Sequence, residues 1–122
     1  MLKTPLLAAA VLAMAMPVAA QTPVQVIQLY SFGFTPKAIR LAAGKPVTLT
    51  FSNRSRDAHD FSAKSFFARA RIVAGDPSGG EIELRGGQSR SVTLIPAAGT
   101  YKVHCGHFMH KQFGMTGTIV VG

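Results

Sequence analysis

Short segments with a hydrophobic residue at every second position run through most of the chain, separated by Gly, Pro, Asn and Asp residues. The clearest is 47–52, where Val47, Leu49 and Phe51 alternate with polar residues, which predicts a half-buried strand. Similar patterns predict further strands at these positions: Val24–Tyr30, Ile39 and Leu41, Ile82 and Leu84, Val92 and Leu94, Thr100–Cys105, and Met115–Val121. About seven strands in roughly 100 residues indicate an all-β domain, a β-sandwich whose two apolar faces pack together.

The segment 63–73 does not follow this alternation. Its apolar residues Phe66, Phe67, Ala70 and Val73 lie near helical spacing, which predicts one short helix or an irregular segment. Just before it, the polar stretch 53–57 predicts a loop.

The first twenty residues differ from the rest of the chain. Lys3 precedes an apolar run from Leu6 to Met16, and small residues follow up to Ala20, the pattern of a secretory signal peptide. The run is shorter than the roughly 20 residues that a membrane anchor requires. We therefore expect cleavage after Ala20 and a mature domain of residues 21–122 in the periplasm or outside the cell.

Without Lys3 the chain keeps twelve basic residues against five acidic ones, a net charge of +7. The basic residues are spread from Lys37 to Lys111 rather than clustered, which argues against nucleic-acid binding. A basic surface that attracts an acidic protein partner or an anionic membrane surface is the more consistent interpretation. We expect a monomer without a membrane span after cleavage.

The segment 101–117 contains the chain's single cysteine and three of its four histidines. A lone thiol in an oxidising compartment is a liability unless it is buried or bound to a metal. Strand alternation directs Cys105 inward and His104 outward. Because His110 follows Cys105 by five positions and Met115 follows five later, one compact loop can direct all three side chains to one point.

Thiolate, imidazole and thioether ligands together favour copper, because soft sulfur selects Cu(I) and imidazole suits both oxidation states. Structural zinc sites usually use more thiolates, in closely spaced pairs. A fourth ligand must come from outside the loop, and His59 is the only histidine there. Met109 is a rival to Met115, while His107 is either an exposed loop residue or a secondary copper-capture site.

These motifs resemble the cupredoxins, specifically the small plastocyanin- and azurin-like copper proteins of bacteria. The matching segments are Phe34-Thr35-Pro36, Phe51-Ser52-Asn53, Ala58-His59-Asp60-Phe61, Gly86-Gly87-Gln88-Ser89, Gly99-Thr100-Tyr101, and Cys105-x₄-His110-x₄-Met115-Thr116-Gly117. The resemblance implies a Greek-key sandwich holding one copper ion per chain. It also implies His59, Cys105 and His110 as equatorial ligands and Met115 as the axial ligand.

Two departures from the family pattern concern the surroundings of the metal. Phe108-Met109 stands where Pro-Gly usually precedes the loop histidine, and His107 is additional. The family often has Asn after the first histidine ligand, tied to a hydroxyl residue after the cysteine, whereas here the pair is Asp60 and Gly106. The contact between these two positions is therefore either missing or made by other groups. Contacts of this kind, between residues next to the ligands, tune the properties of a metal centre.

The sequence leaves three functions to compare. The first is an electron carrier that cycles between Cu(II) and Cu(I) and exchanges electrons with a redox protein. The second is a copper protein for resistance, storage or delivery, favoured by the additional His107 and Met109, with a copper donor or acceptor as partner. An enzyme is the least supported, because four protein ligands leave no position for a substrate.

Overall fold

The computed structural model describes residues 2–6, 8–10, 21–107 and 115–122, and within them ten strands form two five-stranded sheets. The first sheet has the spatial order β2 (Gly33–Thr35), β1 (Val24–Tyr30), β4 (Val47–Asn53), β8 (Ser89–Ile95), β6 (Arg71–Ala74). The second has the order β3 (Ala38–Leu41), β10 (Thr116–Val121), β9 (Gly99–His104), β5 (His59–Ser62), β7 (Glu81–Leu84). Helix α1 spans Lys64–Arg69, and a 3₁₀ turn spans Ser78–Gly80.

The predicted alternation is confirmed where a strand has one buried face. In β4, Val47, Leu49 and Phe51 are buried and the residues between them are half-buried. Phe51 meets Phe61 of the other sheet with 4.8 Å between ring centroids. Burial of each such side chain contributes about 1.5–3 kcal/mol, so the contact between the inward faces holds the two sheets together.

The segment 63–73 divides into two elements. Residues Lys64–Arg69 form the predicted helix, with Phe66 and Phe67 buried beneath it. Ala70 then adopts an extended backbone, and β6 continues as an edge strand antiparallel to β8. All four residues of β6 are exposed, so no alternation marks this strand in the sequence.

The predicted cleavage point after Ala20 lies outside the described residues, so export stays a prediction. Across the described part of the chain, no helix has the length and apolar character needed to cross a bilayer.

One end of the second sheet gathers the parts that the sequence predicted to be functional. Strand β9 lies between β10 and β5 and is antiparallel to both. The last residue of β9, His104, faces the first residue of β10, Thr116, and the last residue of β5, Ser62. Because β5 is antiparallel to β9, the residues that follow β9 run back along β5 toward His59. Cys105 directly follows β9, Met115 directly precedes β10, and His59 is the first residue of β5.

Candidate metal centre

Three of the four predicted ligands are buried together at this end of the sheet. Cys105, Met115 and His59 are each at most 1% exposed. The backbone N–H of Cys105 donates to the carbonyl oxygen of Met115 at 3.0 Å, which extends the β9–β10 pairing by one step. The fourth predicted ligand, His110, lies outside the described residues, as does Met109.

The sulfur of Cys105 lies 3.9 Å from Nδ1 of His59. Metal bonds to cysteine and histidine measure about 2.3 and 2.0 Å. Because the sum of these two bond lengths exceeds the 3.9 Å between the sulfur and Nδ1, a single ion can contact both atoms without any movement of the two residues. A buried cysteine sulfur, an imidazole and a thioether at the ends of neighbouring strands form a donor set that suits copper.

The surroundings of Cys105 act on its thiol in opposite directions. Burial raises the pKa of Cys105, whereas hydrogen bonds from the backbone N–H groups of Asp60 and His107 lower it, and the charge of Asp60 raises it further. The Asp60 N–H lies 3.5 Å from the sulfur. The protein alone therefore keeps the thiol protonated, and a bound cation reverses this by stabilising the thiolate.

The contact between the residues after His59 and after Cys105 is rebuilt rather than missing. The carboxylate Oδ1 of Asp60 accepts a hydrogen bond from the backbone N–H of Gly106, at 2.5 Å. It also accepts one from the hydroxyl of Ser62 at 3.2 Å. A carboxylate and a backbone amide thus connect β5 to the segment after Cys105.

Asn53, predicted as the start of a loop, is instead the last residue of β4, and its side chain holds the loop that precedes His59. It is 1% exposed, and its amide nitrogen donates to the carbonyl of Asp57 at 2.7 Å. Its Oδ1 accepts hydrogen bonds from the N–H and the hydroxyl of Ser55. Asn53 therefore shapes the loop that delivers His59. The signal was an amide at an inward-facing position of an otherwise apolar strand face.

The same amide nitrogen of Asn53 also reaches the turn between β7 and β8, through the carbonyls of Leu84 and Arg85 at 3.3 and 3.1 Å. Gly86 in that turn lies against the carbonyl of Arg56, and a Cβ atom there would be only 2.3 Å from that oxygen. The glycine permits the close approach of the two loops, which fixes the position of β5.

His107 lies at the outer side of the centre. Its Nε2 is 2.9 Å from Oε1 of Glu83, and its ring centroid is 6.4 Å from that of His59. Ligand-capable atoms of His107, Glu83 and Asp60 all lie within 4.8 Å of one another. His104, predicted to face outward, is half-buried and lies opposite Ser62 and Thr116 in the strand register.

The comparisons with known proteins agree with this fold. The chain matches the family described as a cupredoxin-like domain over residues 4–121, so it belongs to the cupredoxins. Family membership and the buried donor set both indicate copper as the cofactor, as the resemblance implied. No curated protein matches the chain significantly.

The fold is shared with solved auracyanin structures. Dithionite-reduced auracyanin from Roseiflexus castenholzii aligns with a TM-score of 0.62 at 20% identity, covering 84% of this chain and 98% of that one. Auracyanin B aligns with a TM-score of 0.59 at 22% identity, covering 86% and 94%. Auracyanin A, described as a "blue" copper protein from Chloroflexus aurantiacus, gives 0.56 at 23% identity, covering 81% and 99%.

Proposed function

We propose that this chain is an exported blue copper protein that carries single electrons between redox partners. The observation that carries the proposal is the buried pair of Cys105 and His59, 3.9 Å apart beside Met115. With His110 from the loop, these residues form the proposed ligand set for one copper ion. The likeness to a protein described as a "blue" copper protein supports the same function.

The residues around the proposed ligands act by holding them in place and excluding water. Bound copper supplies the one-electron exchange between Cu(II) and Cu(I). The hydrogen bond between Cys105 and Met115 sets their spacing, and the N–H groups of Asp60 and His107 orient the sulfur. Because the surrounding residues are rigid and exclude water, the ligands would rearrange little between the two oxidation states, which favours rapid electron exchange.

An absorption spectrum tests this proposal directly. We expect the Cu(II) protein to show an intense visible band from charge transfer between thiolate and metal, and ascorbate to bleach it. Cys105→Ser removes the band, whereas the control His104→Ala on the neighbouring position keeps it. A protein that binds copper yet stays colourless under oxidant contradicts the electron-carrier function.

The N-terminal pattern and the net charge of +7 support export and an acidic redox partner. Expression of the full chain in a bacterial host, followed by N-terminal sequencing of the periplasmic product, tests cleavage. We expect a mature protein beginning at Gln21. A product found only in the cytoplasm with Met1 or Leu2 as its first residue rules out export.

The cluster of His107, Glu83 and Asp60 favours a second candidate, copper storage or delivery. Three additional ligand-capable groups next to the proposed centre are what a protein that receives or passes on copper would need. Measurement of bound copper per chain separates the two functions. More than one equivalent, or direct handover to a copper-free acceptor, supports storage or delivery.

A further inference from the structure

Asp60 contacts the cysteine segment through both its backbone and its side chain. Its N–H donates to the sulfur of Cys105, while its carboxylate accepts the N–H of Gly106, the next residue. The side chain is only 4% exposed, and Ser62 supplies another hydrogen bond to it. A buried carboxylate is thus fixed within one residue of the proposed metal ligand.

Gly106 provides the space for this carboxylate. A Cβ atom at position 106 would lie 2.9 Å from Oδ2 and 3.5 Å from Oδ1 of Asp60. The backbone of Gly106 is not among the left-handed glycine conformations of the described chain, so its conformation does not require glycine. The absence of a side chain at this position therefore serves the approach of the carboxylate.

Among the residues that the structure describes, no lysine or arginine forms an ion pair with the carboxylate of Asp60. In the described ranges the single ion pair joins His107 to Glu83. Hydrogen bonds from Gly106 and Ser62 hold the carboxylate without cancelling its charge. A fixed negative charge close to a metal favours the more positive oxidation state, and it does so most strongly where water is excluded.

We propose that Asp60, admitted by Gly106, is a positioning residue that fixes the segment after Cys105 and lowers the reduction potential of the copper centre. The proposal rests on the proposed function, because it concerns the potential of that same site. It assigns a role to the Asp60 and Gly106 pair that the sequence marked as a departure from its family.

Redox titration of the copper-loaded protein tests the effect on potential. Asp60→Asn keeps an oxygen acceptor for the Gly106 N–H and removes the charge, so we expect a higher midpoint potential with the visible band retained. Asp76→Asn removes an exposed charge from the loop before the 3₁₀ turn and serves as the matched control, with no shift expected. An unchanged or lower potential in Asp60→Asn overturns the proposal.

A stability cycle on the copper-free protein tests the positioning role. Gly106→Ala should lower the urea midpoint in the wild-type background, because its methyl group collides with the carboxylate. In the Asp60→Ala background the same substitution should cost clearly less. Equal losses in both backgrounds refute the contact, whatever the copper does.

The two measurements separate this proposal from the proposed function. A wild-type protein without a visible band contradicts the electron-carrier function, while the cycle still decides the Asp60–Gly106 contact. A wild-type protein with the band but no shift in Asp60→Asn overturns only the effect on potential. If Asp60→Asn does not fold, Gly106→Ala takes its place in the redox titration. The added methyl group displaces the carboxylate of Asp60, so the potential should rise, but by a smaller amount.

Discussion

Replacement of Asn53 by alanine should be among the most destabilising polar substitutions in this domain. The side chain makes contacts to three carbonyls and accepts two hydrogen bonds from Ser55. An amide has only two N–H groups, so about four hydrogen bonds are lost, each with a net value of about 1 kcal/mol. Only the contact with Leu84 is fully buried, and water can replace part of the rest. We therefore expect a loss of about 2–4 kcal/mol.

Urea unfolding of the copper-free protein measures this loss, and the melting temperature should fall by about 10–20 °C. Ser55→Ala is the matched control, since it removes one partner and leaves the amide in place, and it should cost about 1 kcal/mol. Asn53→Asp should be at least as harmful as alanine, because it points an oxygen at three carbonyls. The reasoning fails if Asn53→Ala costs less than 1 kcal/mol or no more than Ser55→Ala.

Three further predictions concern the core, the thiol and one turn. Phe51→Ala leaves a cavity between the sheets and should cost about 3–5 kcal/mol in the same urea assay; a loss below about 1 kcal/mol would contradict the packing. Burial raises the pKa of Cys105, so the folded copper-free protein holds the thiol proton to higher pH than the unfolded chain. The resulting stability is complete below the usual thiol pKa of about 8.5 and is lost as pH rises through the folded pKa. Unfolding between pH 7 and 11 should therefore show an alkaline decline that is weaker in Cys105→Ser, and equal slopes would refute it. Tyr101→Phe removes the hydroxyl that donates to the carbonyl of Ala97 at 2.8 Å and should cost about 1 kcal/mol, with no change in the visible spectrum of the copper protein.

The sequence predicts strands well where one face is buried and the other is not. Strand β4 follows the predicted alternation residue by residue because its inward side chains meet the opposite sheet. Strands β5 and β6 were missed for opposite reasons, since all four residues of β5 are buried and all four of β6 are exposed. Neither pattern has a period of two. The short β2 was also missed, and these three account for the difference between about seven and ten strands.

The candidate site was predictable to the extent that it depends on ligand chemistry and on strand ends. Cys105 and Met115 lie where the hairpin pattern placed them, and His59 reaches the cysteine although 46 positions separate them in sequence. The role of His110 stays a prediction. The contacts of Asn53 and Asp60 join distant segments, 31 positions apart for Asn53 and Leu84 and 46 for Asp60 and Gly106. Such contacts leave no local periodicity, so only the folded chain reveals them.

The hydrogen bond between Cys105 and Met115 closes the base of the segment 106–114. Cys105 and Met115, which flank that segment, are held by the sheet, so we expect β9 and β10 to stay paired when residues between them other than Gly106 are replaced. For a protein engineer, Cys105 and Met115 are therefore two fixed attachment points between which loops of different length and composition can be introduced.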